Sequence, residues 1–303
     1  MSAAAHDLQL TVGSMTHTGG RENNEDSILV ESLPPMTPGS GPGYLLAVAD
    51  GMGGYEGGEI ASKLAIDLVR DLFARDQPAD VALALKQAYR RANDAIYSQG
   101  AGTTDAPPMG TTLVTAVVRG KYVTIANVGD SRAYLMRANQ ITQVTQDHSL
   151  VAEQVQQGQI SEDQARKSRQ RNVLTQALGT KETLDKRMPS IYELALLPED
   201  RLLLCTDGFF DVLTHDDYLQ LMSGNDPNEA AAQLTSLAVE RRTTDNVSAI
   251  VLAVGASLTT VQRQQISAEL AEQRGNAMGA MLIPLLVLIV VIIAIVAGIY
   301  FYM

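Results

Sequence analysis

The sequence predicts an α+β protein that ends in one membrane helix. Short apolar runs rich in β-branched residues, separated by Gly, Asp and Asn turns, indicate strands that follow one another along the chain. Amphipathic segments indicate helices that stand in blocks instead of alternating with the strands, which is the pattern of an α+β layered domain. A long uncharged run at the end of the chain indicates the membrane helix.

Seven segments are predicted as strands because aliphatic and β-branched residues dominate each of them. They are 27–32, 44–50, 112–119, 122–130, 132–137, 201–207 and 247–255. The connections Arg-Gly-Lys, Gly-Asp-Ser and Ala-Asn-Gln are too short to contain a crossover helix. We therefore expect an antiparallel meander in this part of the chain.

Helices are predicted where apolar residues recur every three or four positions. Segments 60–74 and 81–97 each place such a face on one side. A third helix is expected to start with Asp226 as its N-cap and Pro227 in its first turn. The polar segment 150–171 is expected to form a helical insertion, long enough to act as a flap.

Composition excludes several classes of protein. The net charge of -11 argues against nonspecific binding to nucleic acid, because the average surface would repel phosphates. The single cysteine, Cys205, excludes an intramolecular disulfide framework and fits a reducing compartment. We interpret Cys205 as a core residue of a buried strand.

The last segment, 281–303, carries no charge and would span about 34 Å as a helix, enough for a bilayer core. A polar linker, 256–280, joins it to the folded domain, 7–255. Arg263 and Arg274 lie on the near side, so the positive-inside tendency predicts a cytoplasmic domain. The expected location is therefore the cell membrane, with a single-pass C-terminal anchor.

Acidic residues fall at the ends of the predicted strands. They are Glu25, Asp26, Asp50, Asp130, Asp207 and Asp245. Taken singly, an Asp before Gly is a common turn residue. If the strand ends meet at one edge, however, the carboxylates would repel one another unless cations neutralised them. Oxygen ligands alone favour Mg²⁺ or Mn²⁺ over zinc.

Other phosphate chemistries do not fit the sequence. The glycines after Asp50 lack the third glycine of a dinucleotide loop, since Glu56 stands in its place. No P-loop motif occurs. A thiolate phosphatase would need an arginine six residues after Cys205, where this chain has Asp211.

Eight ordered motifs resemble those of the metal-dependent type 2C serine/threonine protein phosphatases in their bacterial form. They are RENNEDS (21–27), AVADGMGG (47–54), MGTTLV (109–114), ANVGDSRAYL (126–135), TQDHSLV (145–151), RNVLTQALG (171–179), LLLCTDGFFDVL (202–213) and TTDNVSAIVL (243–252). The resemblance implies a β-sandwich of two mainly antiparallel sheets flanked by helices. It also implies two Mn²⁺ or Mg²⁺ ions at one edge of the sandwich.

The resemblance further implies roles for the strand-end acids. Asp50 resembles the carboxylate that bridges both metal ions, and Gly51 the residue whose carbonyl binds one of them. Asp207 and Asp245 resemble further direct ligands. Asp130 resembles the acid that, with Asp207, binds a third, weaker ion in bacterial members.

Residues before the first strand complete the implied site. Glu25 and Asp26 resemble acids that hold metal-bound waters, and Arg21 resembles the guanidinium that holds the substrate phosphate. Met52 stands where eukaryotic members have a histidine, so a histidine general acid is not expected here.

The function implied is hydrolysis of phosphoserine and phosphothreonine in proteins by a metal-activated water, opposing serine/threonine kinases at the cytoplasmic face of the membrane. The expected partners are phosphorylated proteins, serine/threonine kinases and their substrates. The competing class is a noncatalytic, membrane-anchored binding or scaffold module with a phosphatase fold, although the intact set of acids argues against it.

Overall fold

The computed structural model describes residues 8–35, 42–53, 57–75, 77–100, 109–224 and 226–256, which all fall in one compact unit. The predicted linker and membrane helix, 256–280 and 281–303, lie outside the described residues except for Ala256. No helix in the described segments is both long and apolar enough to cross a membrane.

Eleven strands in the described segments form the centre of the fold. They are β1 (Leu8–His17), β2 (Asp26–Leu33), β3 (Gly43–Met52), β4 (Gly110–Thr111), β5 (Leu113–Arg119), β6 (Tyr122–Val128), β7 (Arg132–Arg137), β8 (Gln140–Gln143), β9 (Ser190–Ala195), β10 (Arg201–Cys205) and β11 (Val247–Ala256). One sheet has the order β1-β11-β10-β7-β8, and the other has the order β2-β3-β5-β6-β9 with β4 paired to β3. Every pairing is antiparallel.

Seven helices in the described segments flank the two sheets. They are α1 (Gly57–Arg75), α2 (Val81–Gly100), α3 (Leu150–Gln156), α4 (Glu162–Arg166), α5 (Asp207–Phe210), α6 (His215–Met222) and α7 (Pro227–Glu240). The predicted start of α7 is confirmed, since the Asp226 side chain accepts a hydrogen bond from the Asn228 N–H and Pro227 occupies the first turn.

The described residues pack as four layers, with helices outside and the two sheets inside. Along β3, Leu46 and Val48 pack toward the other sheet, while Leu45 and Ala47 pack against α1 and α2. Both faces of β3 are therefore buried, which explains why its sequence is continuously apolar instead of alternating. Cys205 lies buried in the core beneath α6 and α7, as predicted.

The expected meander is wrong at one connection. Arg-Gly-Lys joins β5 to β6 and Ala-Asn-Gln joins β7 to β8 as hairpins within one sheet. Gly-Asp-Ser, in contrast, carries the chain from β6 in one sheet to β7 in the other. Gly129 adopts a φ of 102° there, and a Cβ at this glycine would lie 2.6 Å from the Thr112 side chain. The length of a connection does not distinguish a hairpin from a crossing between sheets.

Candidate metal centre

The acids predicted at the strand ends meet at one edge of the sandwich. Asp26 and Asp50 lie directly opposite each other on β2 and β3 of one sheet. Asp207 follows β10 and Asp245 precedes β11, in the other sheet. Asp130 lies in the connection that crosses between the sheets. The edge is therefore built from both sheets.

The backbone of Asp50 is held on both sides by two threonines. Its N–H donates to Thr112 Oγ1 at 3.0 Å, and its carbonyl accepts from Thr111 Oγ1 at 2.8 Å and from the Thr112 N–H at 2.9 Å. Burial raises the pKa of the Asp50 carboxyl well above its usual value, and the charges of Asp26 and Asp207 add to this rise.

Asp26 is buried between the two sheets. Its Oδ2 accepts a hydrogen bond from Thr206 Oγ1 at 3.0 Å, whereas its Oδ1 has no hydrogen-bond partner within the described residues. Burial raises the pKa of Asp26 to about 7, against the lowering effect of its hydrogen bonds.

Asp207 begins the short helix α5, and its carboxyl is buried and has a raised pKa, like that of Asp26. Burial raises its pKa to about 7, and the neighbouring charges of Asp245 and Asp211 act in the same direction. A hydrogen bond to Asp50 partly offsets this rise. The Oδ1 atom of Asp207 is buried and has no partner in the part of the chain that is described.

Asp130 is buried beside an arginine that ties two loops together. Burial raises the pKa of Asp130 well above its usual value, with Asp207 as the next cause and Arg132 acting in the opposite direction. The Arg132 guanidinium donates to both carboxylate oxygens of Asp147 and lies 3.5 Å from the centre of the Phe210 ring. Because Phe210 belongs to α5, Arg132 connects the Asp130 loop to the helix that starts at Asp207.

Glu25 and Gly51 lie where the start of α1 approaches the edge. The Gly51 N–H donates to the Glu25 carbonyl at 3.2 Å. A Cβ at Gly51 would lie 2.1 Å from the Gly58 carbonyl oxygen, so only glycine fits. Burial raises the pKa of Glu25, and Arg21 opposes that rise.

Arg21 extends along the loop before Asp245. Its Nη2 donates to Asp245 Oδ2 at 2.7 Å and its Nε donates to the Thr244 carbonyl at 3.0 Å. The Arg21 side chain is 54% exposed, so its remaining N–H groups are open to a ligand that enters from solvent.

The sequence analysis missed two residues that hold this edge together. Asn246 accepts from the Glu25 N–H at 2.9 Å through its Oδ1, and its Nδ2 donates to the carbonyls of Thr18 and Asn23. Thr206 joins Asp26 to the other sheet. Each is the chain neighbour of a predicted ligand, Asp245 or Asp207, and this adjacency was the available signal.

The donor set fits a hard divalent cation. All the converging side chains offer oxygen, and two of the carboxylate oxygens are buried and unpaired in the described segments. As they stand, no three acid, histidine or cysteine side chains within those segments are arranged to hold a metal ion together. Burial, followed by repulsion from neighbouring acids, raises the pKa values of Asp26, Asp50, Asp130 and Asp207, and a cation bound at the edge would oppose this rise. The ligand roles of the individual residues stay predictions.

Two antiparallel sheets flanked by helices, with an acidic, oxygen-donor edge, define the class of protein. Residues 10–247 match the protein phosphatase 2C family, and the chain belongs to that family. The resemblance seen in the sequence motifs is thereby confirmed.

Similar proteins are bacterial serine/threonine phosphatases. The chain is 33% identical over 231 residues to the serine/threonine protein phosphatase PstP of Mycobacterium tuberculosis, covering 76% of this chain and 42% of that protein. It is 34% identical over 197 residues to the serine/threonine phosphatase stp of Listeria welshimeri, covering 64% of this chain and 75% of that protein. The chain thus spans less than half the length of the curated mycobacterial relative.

A solved structure of the PstP catalytic domain in complex with two manganese ions is also similar. It is 32% identical, has a TM-score of 0.70, and covers 82% of this chain and 99% of that one. The predicted metal cofactor is confirmed as manganese in this relative.

Proposed function

We propose that this chain hydrolyses phosphoserine and phosphothreonine in proteins, using Mn²⁺ or Mg²⁺. The observation that carries the proposal is the convergence of carboxylates from both sheets at one edge, in a chain of the protein phosphatase 2C family. Membership of the family alone would also suit a noncatalytic module. Such a module, however, has no need of several carboxylates with raised pKa values at one edge of the sandwich.

The residues proposed to hold the ions are Asp50, the Gly51 carbonyl, Asp207 and Asp245, with Glu25 and Asp26 around them and Asp130 for a third, weaker ion. When bound, such ions supply Lewis-acid activation of a water molecule and neutralise charge on the phosphoryl oxygens.

Arg21 is proposed to bind the substrate phosphate. Its planar fork suits two phosphoryl oxygens at once, and its anchoring at Thr244 fixes the direction from which it reaches the edge. Asn246 keeps the segment from Thr18 to Glu25 against the start of β11, which holds Arg21 next to the acids.

The proposal includes a location and partners. The uncharged segment 281–303 would anchor the chain in the cell membrane, with domain 7–255 in the cytoplasm and 256–280 as the linker. Anchoring would raise the local concentration of phosphoproteins made by serine/threonine kinases at that membrane. Phosphoproteins, and not nucleic acids, are the expected partners of a chain with a net charge of -11.

The test measures phosphate release by the full chain, kept in mild detergent, from a phosphothreonine peptide with Mn²⁺. Removing the metal with a chelator should abolish release, and Asp50→Asn should lower kcat/KM by roughly a thousandfold because charge neutralisation at the centre is lost. Asp94→Asn is the matched control, since Asp94 is exposed on α2, away from the edge.

Two outcomes would contradict the proposal. Release that survives both the chelator and Asp50→Asn would exclude the metal mechanism. A folded chain that releases no phosphate from any peptide with Mn²⁺ or Mg²⁺ would favour the noncatalytic scaffold.

A further inference from the structure

A cleft of about 360 Å³ opens beside the acidic edge. One wall is Met52, which follows Asp50 and Gly51 directly at the end of β3. The other wall is the segment 172–181, which follows α4 and leads toward β9. A group bound in the cleft would therefore lie next to the group that reacts at the edge.

The walls of the cleft are fixed by backbone hydrogen bonds. Gly110 pairs with Met52 across β3 and β4, and the neighbouring Thr111 exchanges two hydrogen bonds with Leu178, at 3.0 and 2.9 Å. Further along the same wall, the Thr175 N–H donates to the His148 carbonyl at 2.9 Å. The His148 N–H in turn donates to Gly129, the neighbour of Asp130. The cleft is thus built onto the site from two sides.

The chemistry of the lining suits a peptide. Met52, Leu174 and Ala177 provide apolar surface. Asn172 also lines the cleft and is exposed, so its side-chain amide can pair with a peptide N–H or C=O.

One cation stands among the residues that line the cleft. Lys181 is exposed, and its ammonium forms no ion pair with the described residues, although it lies within electrostatic range of Asp185. Its backbone is fixed, because the Asn93 amide donates to the Lys181 carbonyl at 3.1 Å. The backbone position of Lys181 is therefore fixed at the cleft, and its flexible side chain places the ammonium within reach of a bound peptide.

We propose that the cleft binds the residues of a phosphoprotein that flank the phosphorylated residue, and that Lys181 selects substrates with an acidic residue there. This inference rests on the proposed phosphatase activity. Without bound cations, the carboxylates of the edge would attract basic residues of a substrate. The ammonium of Lys181 attracts acidic residues instead, so it gives the cleft a preference opposite to that of the edge.

The experiment compares phosphothreonine peptides in which one residue at a time is varied. The varied positions are the two residues before and the two residues after the phosphothreonine. Each position carries Glu, Ala or Lys in turn. For the full chain with Mn²⁺, kcat/KM should be about fivefold higher for Glu than for Lys at one or more positions. Lys181→Glu should reverse this order, whereas Lys186→Glu, an exposed lysine outside the cleft, should leave it unchanged.

A second pair of variants tests the cleft itself. Asn172 is exposed and lines the cleft, so Asn172→Trp should fill its mouth. The ratio of kcat/KM on the peptide to kcat/KM on p-nitrophenyl phosphate, which has no flanking residues, should fall about tenfold. Gln170→Trp is the control, because Gln170 is exposed just before the wall segment and does not line the cleft.

The small substrate separates the failure of this inference from the failure of the proposed function. If p-nitrophenyl phosphate and peptides are both left intact, the phosphatase activity itself is refuted. If both are hydrolysed but no position discriminates Glu from Lys, or if the preference survives Lys181→Glu, the assigned role of the cleft is wrong.

Discussion

The stability of the metal-free chain should fall as pH rises from 5 to 7.5. Burial raises the pKa of Asp26 from 3.8 to about 7 in the folded state. A carboxyl with a raised pKa binds its proton more tightly when the chain is folded, so its favourable contribution is complete below pH 3.8 and is lost as pH rises through about 7. The direction is opposite to that of a carboxylate in a salt bridge.

The size of the effect follows from the shift. Of the roughly three pKa units, about two act between pH 5 and pH 7.5, which corresponds to about 2.5 kcal/mol of unfolding free energy. For a domain of this size that is about 7 °C in Tm. Asp207 interacts with the same cluster, so we count the contribution once and do not add the two acids.

The assay is thermal unfolding of the full chain in detergent with chelator, followed by tyrosine fluorescence because the chain has 10 tyrosines and no tryptophan. Asp26→Asn removes the titrating group and keeps an oxygen for Thr206. The difference between the two proteins isolates Asp26 from His148, whose pKa burial lowers and whose contribution to stability therefore rises with pH.

Saturating Mn²⁺ should raise the Tm of the unmodified chain more at pH 7.5 than at pH 5, because ligands must lose their protons to bind. A metal-free Tm that falls equally with pH in the unmodified chain and in Asp26→Asn would refute the reasoning.

Three further predictions concern other parts of the chain. Asn246→Ala should lower kcat/KM about 10- to 100-fold, measured with p-nitrophenyl phosphate, because the Arg21 loop loses its anchor; unchanged kinetics would contradict this. Gly51→Ala should destabilise the fold by about 3 kcal/mol in urea, since its Cβ would meet a backbone carbonyl at 2.1 Å, and an unchanged urea midpoint would contradict the close approach. Replacing both Ile289 and Ile293 by Arg should release the chain from membranes during carbonate extraction, because each central Arg costs about 3 kcal/mol of insertion; retention in the pellet would argue against the anchor.

Much of the fold was predictable because buried strands are recognisable as short runs of apolar residues. Segment 44–50 lies within β3, and 132–137 matches β7, since both are apolar runs bounded by turns. The strand β1 was not predicted, although Leu8, Leu10 and Val12 alternate with polar residues, which is the pattern of a half-buried strand. Position in the sheet, and not propensity, stabilises such a strand.

The acidic residues of the site could be predicted from their place at strand ends. The sheet that carries each of them, and the hydrogen bonds that hold them, could not. Strand ends can be read from the sequence, whereas the sheet to which each strand belongs depends on long-range pairing. The crossing at Gly129 shows this, because the same three-residue connection would also suit a hairpin. The supporting contacts of Asn246 and Thr206 join residues more than a hundred positions apart, so no local pattern reports them.

The crossing between sheets also gives the edge a mechanical property. Asp26 and Asp50 move with one sheet, and Asp207 and Asp245 move with the other. A slip of the sheets by a single residue, about 3.3 Å, would separate the two pairs by more than a ligand bond length. Metal affinity at the edge therefore depends on how the two sheets are aligned. A substitution of a core residue between the sheets, such as Val48 or Ile250, should change metal affinity even where it leaves the melting temperature unchanged.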